Sequence, residues 1–411
     1  MGSMSSLRIF RTDQLVDAFE MSSETNVVPP KMLERLGEIF TNFQQEQELL
    51  QESLSTSISS LCLNASNKKA IGYLQSRFKL PITKQHFLTI VKIAAYIKTT
   101  PYFSTHKIHR FKIQDFCSIS LESSTKEPSL DDTLIIHFKK KTNSTIFGVG
   151  ARVKTFKALH VSKEIISWVA EKTMKKGNHL DQNSHTLNLD PKLFVNPPLY
   201  FYPYIQEKTV DDFCEVHNKT CTIEKLYDTS LIDLLEVHQN VSFLQEKSIW
   251  QITLQLIEIV KELHKKNMIF RDLKPDNILV LFDKKDHTCS LDQLTLLATD
   301  LETVINEADA TQQWIGSPFY YPKDTVHEKQ GKPYDIYVLG RILSGLFKKN
   351  LADKDYLVSV RSMIQQMIDE NFSKRPVIDD IELFFLSKQP KPLTLTEKMA
   401  VCVDGEGCNI L

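Results

Sequence analysis

Between Pro30 and Leu61 apolar side chains recur at Leu33, Leu36, Phe40, Phe43, Leu50, Leu54 and Leu61, in steps of three, four and seven with polar residues between them. That spacing places them on one face of a 3.6-residue repeat and predicts a long amphipathic helix. Pro29-Pro30 suits its start, because proline at the first helical position forgoes an N–H that has no helical partner there. Shorter helical patterns follow at 70–78 and 85–97, the latter closed by Thr100-Pro101, so residues 1–105 are expected to form a helical module. Its stripe suits either a partner surface or core packed against the next domain. The texture then changes. Segments 111–121, 133–140 and 144–157 are rich in β-branched and aromatic residues and predict three strands. The stretch 162–176 reads as a helix with Ser162 as N-cap, Glu164 in the first turn, Ile165, Trp168 and Val169 inward and Lys175-Lys176-Gly177 as its stop. Residues 199–224 are strand-like again. Beyond Tyr227 the pattern is mainly helical to Lys388, at 245–264, 335–347, 356–370 and 378–386, and the tail after Pro390 is broken by proline. The order predicts an α+β chain.

Composition removes several function classes. With 42% hydrophobic residues over 411 positions the chain can bury real cores. Fifty basic against 51 acidic residues leave a net charge of −1, so no global charge draws it to nucleic acid or an anionic membrane. Seven scattered cysteines contain no C-x-x-C pair, which fits a reducing cytosolic compartment rather than zinc or redox chemistry. No stretch approaches the roughly 18 apolar residues of a spanning helix, and the first residues show no charged-then-apolar signal pattern.

The chemistry concentrates in Phe270-Arg271-Asp272-Leu273-Lys274-Pro275-Asp276-Asn277, which follows one amphipathic segment and precedes the apolar run 278–282. This block resembles the catalytic loop of eukaryotic-type protein kinases, in the Asp-Leu-Lys-Pro-x-Asn form of the serine/threonine branch. The resemblance implies a bilobal fold and phosphoryl transfer from ATP, which needs positioning and charge neutralisation more than covalent help. It further implies that Asp272 orients the acceptor hydroxyl or takes its proton, that Lys274 steadies the transferring group, and that Asn277 holds a magnesium ion, with manganese as a substitute. Asp300 in Thr299-Asp300-Leu301-Glu302 would be the second metal ligand, where the family has Asp-Phe-Gly; a glutamate in glycine's place is costly if positive φ is needed there. Gly316-Ser317-Pro318-Phe319-Tyr320 resembles the family's substrate-docking segment, with Ser317 bonded to Asp272 and Lys274. Asp335 would accept backbone donors of the catalytic loop. Arg375 matches the family's late arginine, but Lys323 stands where its glutamate partner is expected, leaving Asp324 as a substitute partner.

The N-terminal lobe admits two readings. Ala151-Arg152-Val153-Lys154-Thr155 resembles the strand lysine that grips the phosphates, making Lys154 that residue with Glu171 or Glu164 on the 162–176 helix as its partner. The other reading takes Lys172 in Val169-Ala170-Glu171-Lys172. Under the first, the turn over ATP is 122–131, which has no glycine, and weak ATP binding or induced closure follows; Gly148-Val149-Gly150 alone is thin evidence for a phosphate loop. Thr222-Ile223-Glu224-Lys225-Leu226 resembles the strand ending in the adenine linker, with the backbone of Glu224 and Leu226 on the adenine edge. Arg271 would receive an activation-loop phosphate, with Thr303 and Thr311 as acceptors. Basic clusters at 106–110 and 139–141 suit solvated strand ends or a polyanionic activator.

At the last positions, Cys408-Asn409-Ile410-Leu411 has the form of a prenylation signal on Cys408, with a leucine favouring geranylgeranyl transfer. One chain anchors weakly, so a second signal is expected. Prenyltransferases are eukaryotic, and the divergent motifs resemble kinases that intracellular bacteria secrete as effectors. The expectation is therefore a helical N-terminal module (1–105), kinase N-lobe (106–224), C-lobe (225–389) and flexible tail (390–411). Such a chain would act on host protein substrates from the cytosolic side of a membrane, with a host prenyltransferase and a polyanionic or protein activator as partners. Its rival is a pseudokinase scaffold recruiting partners through the helical module and the lipidated tail.

Overall fold

A computed structural model describes residues 28–59, 72, 75–76, 78–99, 109–113, 117–121, 134–138, 146–149, 153–162, 165–174, 187–195, 200–210, 213–241, 244, 246–285, 288–311, 314–323, 329–347 and 355–389. They fall into two compact units. The first draws on Met1–Phe243, Ile278–Leu291 and Leu297–Glu302, the second on Leu244–Asn277, Asp292–Leu296 and Thr303–Leu411.

The first unit opens with helices α1 (Pro30–Ser59) and α2 (Lys84–Thr99). Strands β1 (His109–Ile113), β2 (Cys117–Leu121), β3 (Leu134–Phe138), β4 (Ile146–Val149), β5 (Val153–Val161), β6 (Ile166–Met174), β7 (Tyr200–Val210) and β8 (Phe213–Lys225) follow. They form one antiparallel sheet in the order β1-β2-β3-β5-β6-β8-β7, with β4 also on β5. The apolar stripe of α1 is core. Leu36, Phe40 and Phe43 pack with Phe87, Ile90 and Val91 of α2 against Leu134, Ile136, Leu159 and Ile166 of the sheet. Phe40 stacks on Phe87 at 4.6 Å, and Trp168 lies 5.7 Å from Phe43 while donating its indole N–H to Gln47 Oε1 at 2.9 Å. Each such side chain removed from water contributes about 1.5–3 kcal/mol, so helices and sheet stabilise one another as a single body. Short helix α3 (Leu231–Val241) and strand β9 (Ile278–Lys285) also belong to the unit, β9 pairing with Thr229–Ser230.

The helix expected at 162–176 is instead strand β6. Ser162 N donates to Ile165 O at 2.9 Å and Ser162 Oγ accepts from Ile165 N at 3.2 Å, so this serine caps the tight turn joining β5 to β6 rather than a helix. Ile166, Trp168, Val169 and Thr173 suit a pleated surface, and the strand is hydrogen-bonded on both sides, to β5 and β8. Glu164 lies outside the described residues.

The second unit is helical: α4 (Glu246–Lys265), α5 (Lys332–Leu346), α6 (Asp355–Met367) and α7 (Ile378–Lys388). Trp250 of α4 sits edge-on to Phe347 and Phe385 at 5.7 and 5.9 Å, at the centre of the core. No described helix is long and apolar enough to cross a membrane.

Candidate active site

Two sets of polar side chains stand out, one in each unit. In the second unit the loop after α4 is braced from beneath by Asp335, in the first turn of α5 and fully buried. Its carboxylate accepts the N–H groups of Phe270 at 2.9 Å and Arg271 at 3.2 Å and meets His264 Nε2 at 3.1 Å. Arg271 adopts a left-handed backbone (φ 65°), costing on the order of 1 kcal/mol for a residue with a Cβ, and these bonds hold it there. The turn lifts Asp272 into a dense cluster. Its Oδ2 accepts from Lys274 Nζ at 2.8 Å and Asn277 Nδ2 at 3.1 Å, while Oδ1 accepts from Ser317 Oγ at 3.1 Å. Lys274 Nζ also donates to Ser317 Oγ at 2.9 Å. The four residues named for phosphoryl transfer in this unit are thus joined through the Asp272 carboxylate. Gly316 makes the approach possible: its φ is 112°, and a Cβ there would sit 2.5 Å from Arg271 O and 3.1 Å from Asp272 Oδ1.

The segment leading to Ser317 is tied down along its length. Ile269 pairs with Ile305, Thr303 Oγ1 donates to Phe270 O at 2.9 Å, and Arg271 Nε donates to Thr303 O at 2.7 Å. Arg271 and Thr303, expected as phosphate receiver and acceptor, therefore already bond one another's segment. Gln330, buried, clamps Ile315 by accepting its N–H at 2.8 Å and donating to its O at 2.6 Å. Nothing in the sequence pattern signalled this. Arg375 donates to the carbonyls of Asp369 at 2.7 Å and Pro333 at 2.9 Å and lies against the rings of Phe372 and Tyr337; Asp324 lies outside the described residues. Burial first, then Asp276 and Asp272, push the Tyr320 phenol above its usual range against an opposing pull from Arg341, so it stays a neutral donor.

In the first unit Lys172 of β6 stands among oxygen groups. Its Nζ lies 3.0 Å from Glu224 Oε2 and 3.3 Å from Asp300 Oδ1, with Thr299 Oγ1 at 3.4 Å. Burial works against its charge, but Glu224 and Asp300 outweigh that and hold the ammonium above the ordinary lysine range. The reading that pairs Lys154 with Glu171 on a helix is corrected at the helix: Ile166–Met174 is strand β6, with Thr173 opposite Lys154 of β5. Glu171 faces the other side of the sheet, buried, where its Oε2 is 2.8 Å from His137 Nδ1. A strand alternates its side chains, so neighbours 171 and 172 cannot serve one site. Glu224, expected to offer only backbone, commits its carboxylate to Lys172, and Leu226 follows in the same chain segment, partly buried.

Val149 of β4 pairs with Lys154 of β5, and Lys154 with Thr173 of β6, the strand that carries Lys172. Residues 150–152, the 122–131 stretch and Cys408 all lie outside the described residues. The positive φ feared for Glu302 falls instead on Asp300 (φ 56°), a residue type that tolerates it, and Leu301–Thr303 form a 3-10 turn. Lys157 is another feature the sequence left unmarked: fully buried, its ammonium lies 3.4 Å from the centroid of the Trp168 ring.

Metal fit can be tested on donors. Among the described residues no group of three or more His, Cys, Asp or Glu is assembled for a resident ion. Asn277, buried, spends its Nδ2 on Asp272 and leaves Oδ1 with no protein donor among the described residues, and Asp300 offers a half-exposed carboxylate. Each is a hard oxygen of the kind that suits a divalent cation completing its shell with phosphate oxygens and water.

A family model described as the protein kinase domain matches residues 142–377, more than half of the chain. Similar curated proteins include a probable serine/threonine-protein kinase of Dictyostelium discoideum, 34% identical over 107 residues (22% of this chain, 23% of the relative). Serine/threonine-protein kinase 40 of Gallus gallus is 30% identical over 102 residues (24% and 22%). The hormonally up-regulated neu tumor-associated kinase of Mus musculus is 23% identical over 253 residues (58% and 33%). The chain spans a third or less of the length of each of these relatives.

Proposed function

The chain belongs to the protein kinase family, and from that premise we propose that it transfers the γ-phosphate of ATP to serine or threonine hydroxyls of proteins. The observation that carries this reading is the hydrogen-bonded set Asp272, Lys274, Asn277 and Ser317 on a loop braced by Asp335. In it Asp272 orients the acceptor hydroxyl and takes its proton as the new O–P bond forms and the bond to the β-phosphate oxygen breaks, releasing ADP. Lys274 stands beside that carboxylate with a fixed positive charge for the transferring group, and Ser317 keeps both side chains in place. Lys172 meets the phosphates, and the backbone of the linker around Leu226 meets the adenine edge. Asn277 and Asp300 each offer oxygen to magnesium or manganese, which would neutralise phosphate charge when bound.

The reading extends to setting. Host proteins as substrates, a polyanionic or protein activator, and a prenyl chain added to Cys408 by a host prenyltransferase are its finer parts, supported by the sequence of the final residues and the divergence of the motifs from ordinary members. Incubation with radiolabelled ATP, a divalent cation and cell extract, followed by phosphoamino-acid analysis, tests the chemistry. Phosphoserine or phosphothreonine is expected, falling by about a hundredfold or more in Asp272→Asn, the scale of a lost general base. Equal labelling by the two proteins would refute it. Labelled isoprenoid entering the wild-type chain but not Cys408→Ser tests the anchor.

A further inference from the structure

We propose that Glu224 is the positioning residue for Lys172, so that the ion pair preparing this lysine for nucleotide is built between two neighbouring strands of one sheet. The inference rests on the reading that Lys172 meets the phosphates. β6 and β8 run antiparallel with Ala170 opposite Glu224 and Lys172 opposite Thr222. Directly opposed residues share a face, and so do residues two apart, which makes Lys172 and Glu224 diagonal neighbours on one face of the sheet. A lysine can span that diagonal, and the observed separation is 3.0 Å with the two side chains 18% and 12% exposed.

The other carboxylates near this strand have other duties. Glu171 is on the opposite face against His137. Asp300 is also on Lys172, at 3.3 Å, but its side chain is 57% exposed and its carboxylate is the oxygen donor offered to a cation. A cation that draws on Asp300 leaves Glu224 as the carboxylate holding Lys172. The resemblance implies a glutamate carried by a helix between the lysine strand and the next strand. Among the described residues between β6 and β7, 187–195 form turn and extended backbone, and none is helical. A pair anchored in a continuous hydrogen-bonded ladder is set as the sheet folds, and needs no movement of a helix to bring its members together.

Glu224 lies two residues before Leu226, so the same short strand end would serve both the adenine linker and the phosphate lysine. Binding of a non-hydrolysable ATP analogue with magnesium, by calorimetry, and steady-state kcat and KM for ATP test this on the full chain. The variants are Glu224→Gln, Glu224→Ala, Glu224→Asp, Lys172→Ala and, as a buried control on the far face, Glu171→Gln. Glu224→Gln, nearly isosteric, is expected to fold and to weaken analogue binding on the order of tenfold, with KM for ATP rising in step. Glu224→Ala should do at least as much, and Glu224→Asp should recover most of the loss because the charge is retained. Glu171→Gln should lower the melting temperature while leaving analogue affinity unchanged. Wild-type affinity and KM in Glu224→Gln alongside a clear loss in Lys172→Ala would overturn the inference. Wild-type affinity in Lys172→Ala would instead sink the assignment of Lys172 itself.

Discussion

Gly316 shows how a single residue carries a site. Its φ is 112° and a Cβ there would stand 2.5 Å from Arg271 O, so any side chain at this position pushes Ser317 away from Asp272. Gly316→Ala should therefore lower the melting temperature, by a strain of about 1–3 kcal/mol, and lose roughly tenfold to a hundredfold in kcat, as displacement of a reacting group by about an ångström does. Asp335 acts one layer deeper. Asp335→Ala leaves two buried N–H groups without their acceptor, at about 1–3 kcal/mol each, so thermal unfolding should show a loss of several kcal/mol together with loss of transfer. The sequence made the catalytic loop readable because Phe270 to Asn277 are contiguous: a loop of eight residues brings its own side chains together. The Lys172–Glu224 pair is separated by a long stretch of chain and depends on the register of β6 against β8, which no local pattern states.

At the scale of elements, the misread segment is 162–176. Its serine, glutamate and closing lysines look like helix punctuation, but the same residues serve a hairpin turn and a strand once β5 and β8 supply hydrogen bonds on both sides. Tertiary pairing overrides weak local preference. The activation-segment expectation also changes with its contacts. Since Thr303 donates to Phe270 O and accepts Arg271 at its own carbonyl, a phosphate on Thr303 would break the segment's ties. Phosphatase-treated protein should keep its activity, and Thr303→Glu should lower it rather than raise it, as measured by phosphate transfer to a generic protein substrate. Helices α5 and α6 meet at Gly340, where a Cβ would lie 2.8 Å from both Met367 Cβ and Ile368 Cγ2. Gly340→Ala should cost about 1–3 kcal/mol by overpacking, read from denaturant unfolding.

Across the whole molecule, each unit buries its own core, one around Phe40, Phe87 and Trp168 and the other around Trp250, Phe347 and Phe385. Phe40→Ala, removing about 3–5 kcal/mol of packing, should accelerate amide exchange in β3 and β6 while leaving α4 and α5 protected. Uniform acceleration across both units would contradict separate cores. By itself the sequence determined the helical stripe of α1, the strand-rich stretch, the helices of the second unit and the catalytic loop, because each is written in short-range periodicity or in adjacent residues. Only the tertiary structure decided that the α1 stripe is core shared with the sheet, that β6 is a strand, and that Lys172 stands between Glu224 and Asp300. Those outcomes follow from which strands lie side by side and which face each side chain takes, and a one-residue change of register exchanges every face.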